Sequence, residues 1–268
     1  MKHLHHEHRL VLRNPKTMGE RLYALVWGPF VVVGLMVLFV VIHPPQVNAV
    51  NVTIPLLLLA CLYTLTRIAI AYALAVVVAV PLALLVEKSR AVESVLLPVF
   101  DVFESIPNLA VLPLLVVVFM QFNFLSGATI VILFLNMVWS IVFALVSGLK
   151  IIPRDAYFAA RVFGLSGLSL LRRLILPAVF PQFVTGSILA VASAWNIIIV
   201  AEVVHSYMPG ATSAQDIFGI GSILVATSVQ GATLQYILAF AVMVAVIALF
   251  NFFVWQKLLN YSQRFRFE

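Results

Sequence analysis

Charge is the scarcest property of this 268-residue chain: 10% of its residues are Asp, Glu, Lys or Arg, against about 25% in an ordinary soluble domain. Hydrophobic residues make up 63%, and the mean hydropathy is +1.13. A soluble domain is excluded and an all-α, polytopic membrane protein is implied. A β-barrel is excluded too, because apolar residues run continuously where barrel strands would alternate. Cysteine is nearly absent. Cys61 stands alone in an apolar context, so no internal disulfide can form and no cysteine-based metal site or redox chemistry is expected. No Gly-x-x-x-x-Gly-Lys followed by Ser or Thr occurs, so the chain lacks the loop that cradles nucleotide phosphates. With no clustered nucleophile, base and acid either, it is not read as an enzyme.

What is present is a series of long apolar runs. A membrane-crossing helix needs about 20 mostly apolar residues, since about 30 Å of hydrocarbon is crossed at about 1.5 Å per residue. Ala24–Ile42 meets this and stops at His43-Pro44-Pro45. About twenty polar residues precede it without a small-residue cleavage pattern after it, so it reads as a retained span and not a signal peptide. Ile54–Val86 is the second span. Ser105–Leu149 is uncharged and long enough for two crossings, turning near Gln121–Gly127, with Pro107 and Pro113 as kink or hinge positions in the first. Leu176–Ala201 and Ala232–Gln256 complete six spans, with Glu202–Gly231 between them as an external loop or re-entrant segment. The expected organisation is a tail over 1–23, a six-span domain over 24–256 containing a polar loop at 150–177, and a second tail over 257–268.

The net charge of +6 is distributed so as to orient this scheme. Of sixteen Lys and Arg, fifteen fall on one side of a six-span arrangement, and the sixteenth, Arg67, lies inside span two. The positive-inside rule then places both termini and the 150–177 loop in the cytoplasm. This pattern argues for orientation in a lipid bilayer and against a nucleic-acid partner.

The loop carries Lys150, Arg154, Asp155, Arg161, Arg172 and Arg173 between two uncharged runs. Pro153 and the run Asp155–Val162 predict a short helix, ended by Gly164, Ser166 and Gly167. A helix of about ten residues cannot form its own domain. It either lies on lipid headgroups or docks in a partner's groove, which the small residues Ala156, Ala159 and Ala160 would suit.

Phe158-Ala159-Ala160, three residues, Gly164, nine residues, then Leu174-Ile175-Leu176-Pro177 resembles the Glu-Ala-Ala loop of binding-protein-dependent ABC importer permeases. Thr64-Leu65-Thr66-Arg67, Pro81–Leu85, Glu104-Ser105-Ile106-Pro107, Pro113-Leu114, Trp195 and Ala201-Glu202 are similar to the nitrate, sulfonate and taurine branch of that family. The resemblance covers about Thr64 to Glu202. It implies a type I importer fold in a bacterial inner membrane and a permease subunit paired with a second copy or a homologue. Two ATP-binding subunits, which would hold the ATP and magnesium, and an extracytoplasmic solute-binding protein are the other implied partners. The chain itself would need no cofactor. The implied solute is a small anion such as nitrate, sulfonate, taurine or bicarbonate, although a vitamin precursor or other small solute is the alternative within the family. An ion-gradient-driven secondary transporter is the alternative outside it. That alternative is disfavoured because Arg67 is the lone ionisable residue read inside a span core.

By this resemblance Arg154, Asp155, Phe158, Ala159, Ala160, Arg161, Gly164 and Pro177 form the ATPase-coupling element. Phe158 stands where the family has Glu, and Asp155, one turn earlier, is the candidate replacement carboxylate. Arg67 reads either as a partner for a carboxylate or carbonyl that holds helices together, or as an electropositive element on an anion pathway. Asn136, Ser140, Ser193 and Asn196 read either as interhelical hydrogen-bonding groups or as pathway residues. The His3, His5, His6 and His8 cluster reads as a mobile tail, and no metal site is expected.

Overall fold

A computed structural model describes residues 52–208, 210–212 and 215–265. The first expected span, Ala24–Ile42, and the histidine cluster lie outside the described residues. Those described form eight principal helices and no strand: α1 (Ile54–Glu87), α2 (Arg90–Ser105), α3 (Asn108–Gln121), α4 (Leu125–Ile151), α5 (Arg154–Val162), α6 (Gly167–Ala201), α7 (Ile220–Val229) and α8 (Thr233–Phe265). Four of them, α1, α4, α6 and α8, are long and apolar enough to cross a membrane. The bent pair α2 and α3 supplies a fifth candidate.

Helix α4 is the centre, packed along α1 on one side and α6 on the other. Small side chains make that approach possible. On α1 the buried residues Ala71, Ala75, Ala79 and Ala83 recur every four positions and form one seam. Opposite them, α4 buries Ile132, Leu133, Met137, Val138 and Ile141. Lipid tails are as apolar as these side chains, so close van der Waals contact rather than water exclusion holds such helices together. Helix α8 lies at the periphery: 11% of its most apolar 18-residue window is buried.

The segment beginning near Ser105, expected to kink at Pro107 or Pro113, breaks sharply at the first of these positions. The helix after the break, α3, has 14 residues, about 21 Å of rise. Before it, α2 turns away at 78°, the break falling at Ile106-Pro107. Pro107 caps α3 from an extended conformation, as a residue with no N–H and a fixed φ does well at a helix start. Pro113 is accommodated inside α3. Trp139 on α4 holds α2 in place, stacking on Phe103 at 5.8 Å and lying 5.5 Å from Phe100.

Helix α6 begins before the expected Leu176. It includes a widened π-helical turn at Leu171–Ile175, immediately ahead of Pro177. Pro177 cannot donate the N–H that the carbonyl four residues earlier would accept, and a widened turn is one way to absorb that loss. Helix α8 runs on through Phe265, and Phe180 on α6 packs edge-on against Tyr261 and Phe265.

Candidate functional site: an exposed loop helix and a buried polar lock

The loop helix α5 forms where the sequence predicts it. Pro153 occupies its N-cap, Asp155 lies in its first turn and Arg161 in its last, each charge complementing the helix dipole. Gly164 follows with φ +71°, the left-handed conformation that a helix terminus favours and a glycine adopts without strain. Arg154, Asp155, Phe158, Ala159 and Arg161 are exposed. Phe158, Val162 and Phe163 are 61%, 85% and 82% exposed, an apolar face that nothing within the described chain covers. The small residues divide. Ala159 faces outward, while Ala160 is buried and Ala156 packs on the chain's own core. The outward surface is therefore built mainly from large side chains, with Pro177 half-buried at the root of α6.

At its inner side α5 meets the end of α1. The Tyr157 hydroxyl donates to Glu87 Oε1 at 2.7 Å. Burial, and then the neighbouring Glu87 carboxylate, push the Tyr157 phenol above its ordinary range, so it remains a donor. Beside this contact Lys150 Nζ lies 2.6 Å from Glu93 Oε1, joining the end of α4 to α2. Both bonds border a cleft lined by Val86, Glu87, Ser89, Arg90, Glu93 and Lys150 among others.

The second polar assembly is distant from the loop. Arg67 on α1 is 3% exposed and Glu202, at the end of α6, is 0% exposed. Arg67 Nη1 donates to Glu202 Oε1 and Nη2 to the Phe218 carbonyl, both at 2.8 Å. Glu202 also accepts from Thr64 Oγ1 at 2.7 Å and from the Gly221 N–H at 2.8 Å. Thr64 Oγ1 in turn accepts from the Ile220 N–H at 3.1 Å. The carboxylate thus caps the first turn of α7, where unpaired N–H groups and the helix dipole favour an anion. Gly221 is required here, because a Cβ would meet Glu202 Oε2 at 2.9 Å and the Ile199 backbone at 2.7 Å. His205 and Asp216 close the intervening loop through the His205 N–H and ring Nδ1.

The reading of Arg67 as the lone ionisable group in the core is thereby corrected: Glu202, assigned by sequence to an external loop or re-entrant segment, folds in against it. Position alone could not reveal this, since Glu202 follows an apolar run and precedes a polar one.

A third group crosses the middle of the bundle. Asn108 Nδ2 donates to Asn136 Oδ1 at 3.1 Å, and Asn136 Nδ2 donates to Ser193 Oγ at 2.8 Å. Three helices, α3, α4 and α6, are joined this way. Asn196 is exposed and bonds its own helix at the Ala192 carbonyl, and Ser140 is half-buried on α4. Asn108, Tyr157, Glu87 and Thr64 complete these assemblies and were not singled out as site residues by sequence. Thr64 stood inside a family-like run, whereas the others carried no spacing signal.

Several helices long and apolar enough to cross a membrane, joined by a polar loop helix that presents an uncovered apolar face, define a multi-pass membrane protein. The chain belongs to the family of binding-protein-dependent transport system inner membrane components, whose profile matches residues 75–260. It is 33% identical over 147 residues to a bicarbonate transport system permease protein, CmpB of Synechococcus elongatus, covering 55% of this chain and 52% of that one. To the nitrate import permease protein NrtB of Leptolyngbya laminosa it is 32% identical over 139 residues, 52% of this chain and 49% of the relative. The taurine transport system permease protein TauC of Escherichia coli is 27% identical over 141 residues, 53% and 50% of the two chains. The chain thus matches over about half the length of these curated relatives. A solved chain of the MetNI methionine ABC transporter, in inward-facing conformations, superposes with a TM-score of 0.61 at 18% identity, covering 78% of this chain and 99% of that one. At that identity the likeness is one of fold.

Proposed function

We propose that this chain is the membrane-spanning permease subunit of an ATP-driven importer, that it forms the solute pathway, and that it takes its energy from separate ATP-binding subunits. The observation that carries the reading is α5: a helix in the register of the family's coupling loop, with Phe158, Val162 and Phe163 exposed and nothing in the described chain to cover them. An apolar patch on a polar loop marks a protein-docking surface. Arg154, Asp155 and Arg161 rim that face, and Asp155 supplies the carboxylate that Phe158 displaces from the motif. The 150–177 loop and both termini, over 1–23 and 257–268, face the cytoplasm, and a binding protein delivers solute on the opposite side. A second copy or a homologue completes the pathway. The solute is a small anion of the kind named for the relatives: bicarbonate, nitrate or taurine.

In this reading Arg67 serves structure, since Glu202 already neutralises it. Solute would instead meet neutral hydrogen-bonding groups, with Asn136, Ser193, Ser140 and Asn196 as the pathway candidates. Extraction in mild detergent and affinity purification test the proposal. An ATP-binding subunit should co-purify, and ATP depletion should stop uptake of labelled bicarbonate, nitrate or taurine. Uptake that survives depletion without such a subunit would mean an ion-driven transporter instead.

A further inference from the structure

Helix α5 is joined covalently to α4 and α6 at its two ends, but its side-chain bond to α1 is the one from Tyr157 to Glu87. Glu87 is the last residue of a 34-residue helix whose preceding turn, Ala83 and Val86, is locked in the core. Twenty residues back along the same helix, about 30 Å away, Arg67 and Thr64 hold Glu202 and the start of α7. One helix therefore ends at the loop contact and carries the buried lock in its N-terminal half. Pro81 interrupts the hydrogen-bond ladder between the two sites, but Ala79 and Ala83 on either side of it are buried in the core, and a helix packed in this way moves as a body.

Resting on the importer reading above, we propose that Tyr157 is a positioning residue that ties α5 to α1, so that α1 acts as a rod between the ATP-binding subunit's docking helix and the lock around Glu202. Tyr157 touches neither solute nor nucleotide. Its ring packs on the core while its hydroxyl fixes where the end of α1 sits relative to α5. The Lys150–Glu93 pair fixes α2 to α4 at the same level, but it bypasses α1.

The test uses the whole complex in lipid nanodiscs: this chain, its ATP-binding subunit and its binding protein, loaded in turn with bicarbonate, nitrate and taurine. ATP hydrolysis is measured with and without the binding protein. Tyr157→Phe should cut the stimulation by the binding protein about fivefold, the effect of losing one hydrogen bond of ordinary net strength. Basal hydrolysis and the amount of assembled complex should stay unchanged. Glu87→Ala should reproduce the loss, the double variant should be no worse than either single one, and Glu87→Gln, which keeps an acceptor oxygen, should retain stimulation. Wild-type stimulation in Tyr157→Phe would overturn the proposal. So would a loss confined to the yield of complex, or losses that multiply in the double variant. A wild-type chain that recruits no ATP-binding subunit, or whose hydrolysis no loaded binding protein stimulates, overturns the importer reading itself, and the rod with it.

Discussion

Arg67→Met is the most discriminating perturbation of the fold. The substitution keeps an unbranched apolar stem and removes the guanidinium, leaving the Glu202 carboxylate with no exposure and no cation. Thr64 and Gly221 still donate to it, but the Phe218 carbonyl loses its donor. Breaking a buried pair in this way costs about 3–5 kcal/mol, whereas an exposed pair is worth about 0–1 kcal/mol. For a chain of this size 1 kcal/mol moves the melting temperature by roughly 2–4 °C, so Arg67→Met should melt about 10 °C below the native chain in nanodiscs. Lys150→Met is the internal control, since its pair with Glu93 is 53% and 33% exposed on the two sides. It should shift melting by no more than about 4 °C. Glu202→Gln added to Arg67→Met removes the stranded charge but keeps an oxygen for Thr64 or Gly221, and should recover more than half of the loss. Equal shifts for Arg67→Met and Lys150→Met, or a double variant less stable than Arg67→Met alone, would refute the buried-pair reasoning.

Other expectations follow from the same geometry. Val162→Asp should abolish co-purification of the ATP-binding subunit without lowering the melting temperature, because the side chain is 85% exposed and belongs to the proposed docking surface rather than the core. Gly221→Ala should destabilise by about 1–3 kcal/mol, since its Cβ has no space between the Ile199 backbone and Glu202; the melting temperature reads this directly. Asn136→Leu removes bonds to Asn108 and Ser193 and should cost about 1 kcal/mol at about 0.6 per interhelical bond. A larger fall in solute uptake than in stability would place Asn136 on the pathway. The Tyr157 phenol lies above its unfolded value, so the folded state holds its proton more tightly. Its contribution is complete below about pH 10, the ordinary phenol value, and is lost only as pH rises through the raised one. Stimulation by the binding protein should therefore show no loss attributable to Tyr157 from neutral pH up to about 10.

Membrane class, helical content and the loop helix were legible in the chain itself. Apolar runs and turn residues act locally, and a lipid environment leaves a continuous apolar run little choice but helix. Arg154–Val162 appears as a helix because Pro153, Asp155 and Gly164 each satisfy a terminus within a few residues. The 15-to-0 partition of cations is likewise a property of composition and order, and the proposed orientation rests on it. What required the tertiary structure were contacts between residues far apart in the chain. Glu202 lies 135 positions from Arg67, and Tyr157 lies 70 from Glu87. Neither separation leaves a periodic trace, because the partners meet only when α1, α4, α6 and α7 are packed. The bend at Ile106-Pro107 is divided between the two: Pro107 marks it in the sequence, but the stacking of Trp139 on Phe103 helps to set where α2 lies. Sequence determined that the chain is a helical, multi-pass membrane protein and where the polar loop helix forms. Packing decided that a lone cation in the apolar core had a buried partner, and that the loop helix is fastened to the same helix that carries this cation.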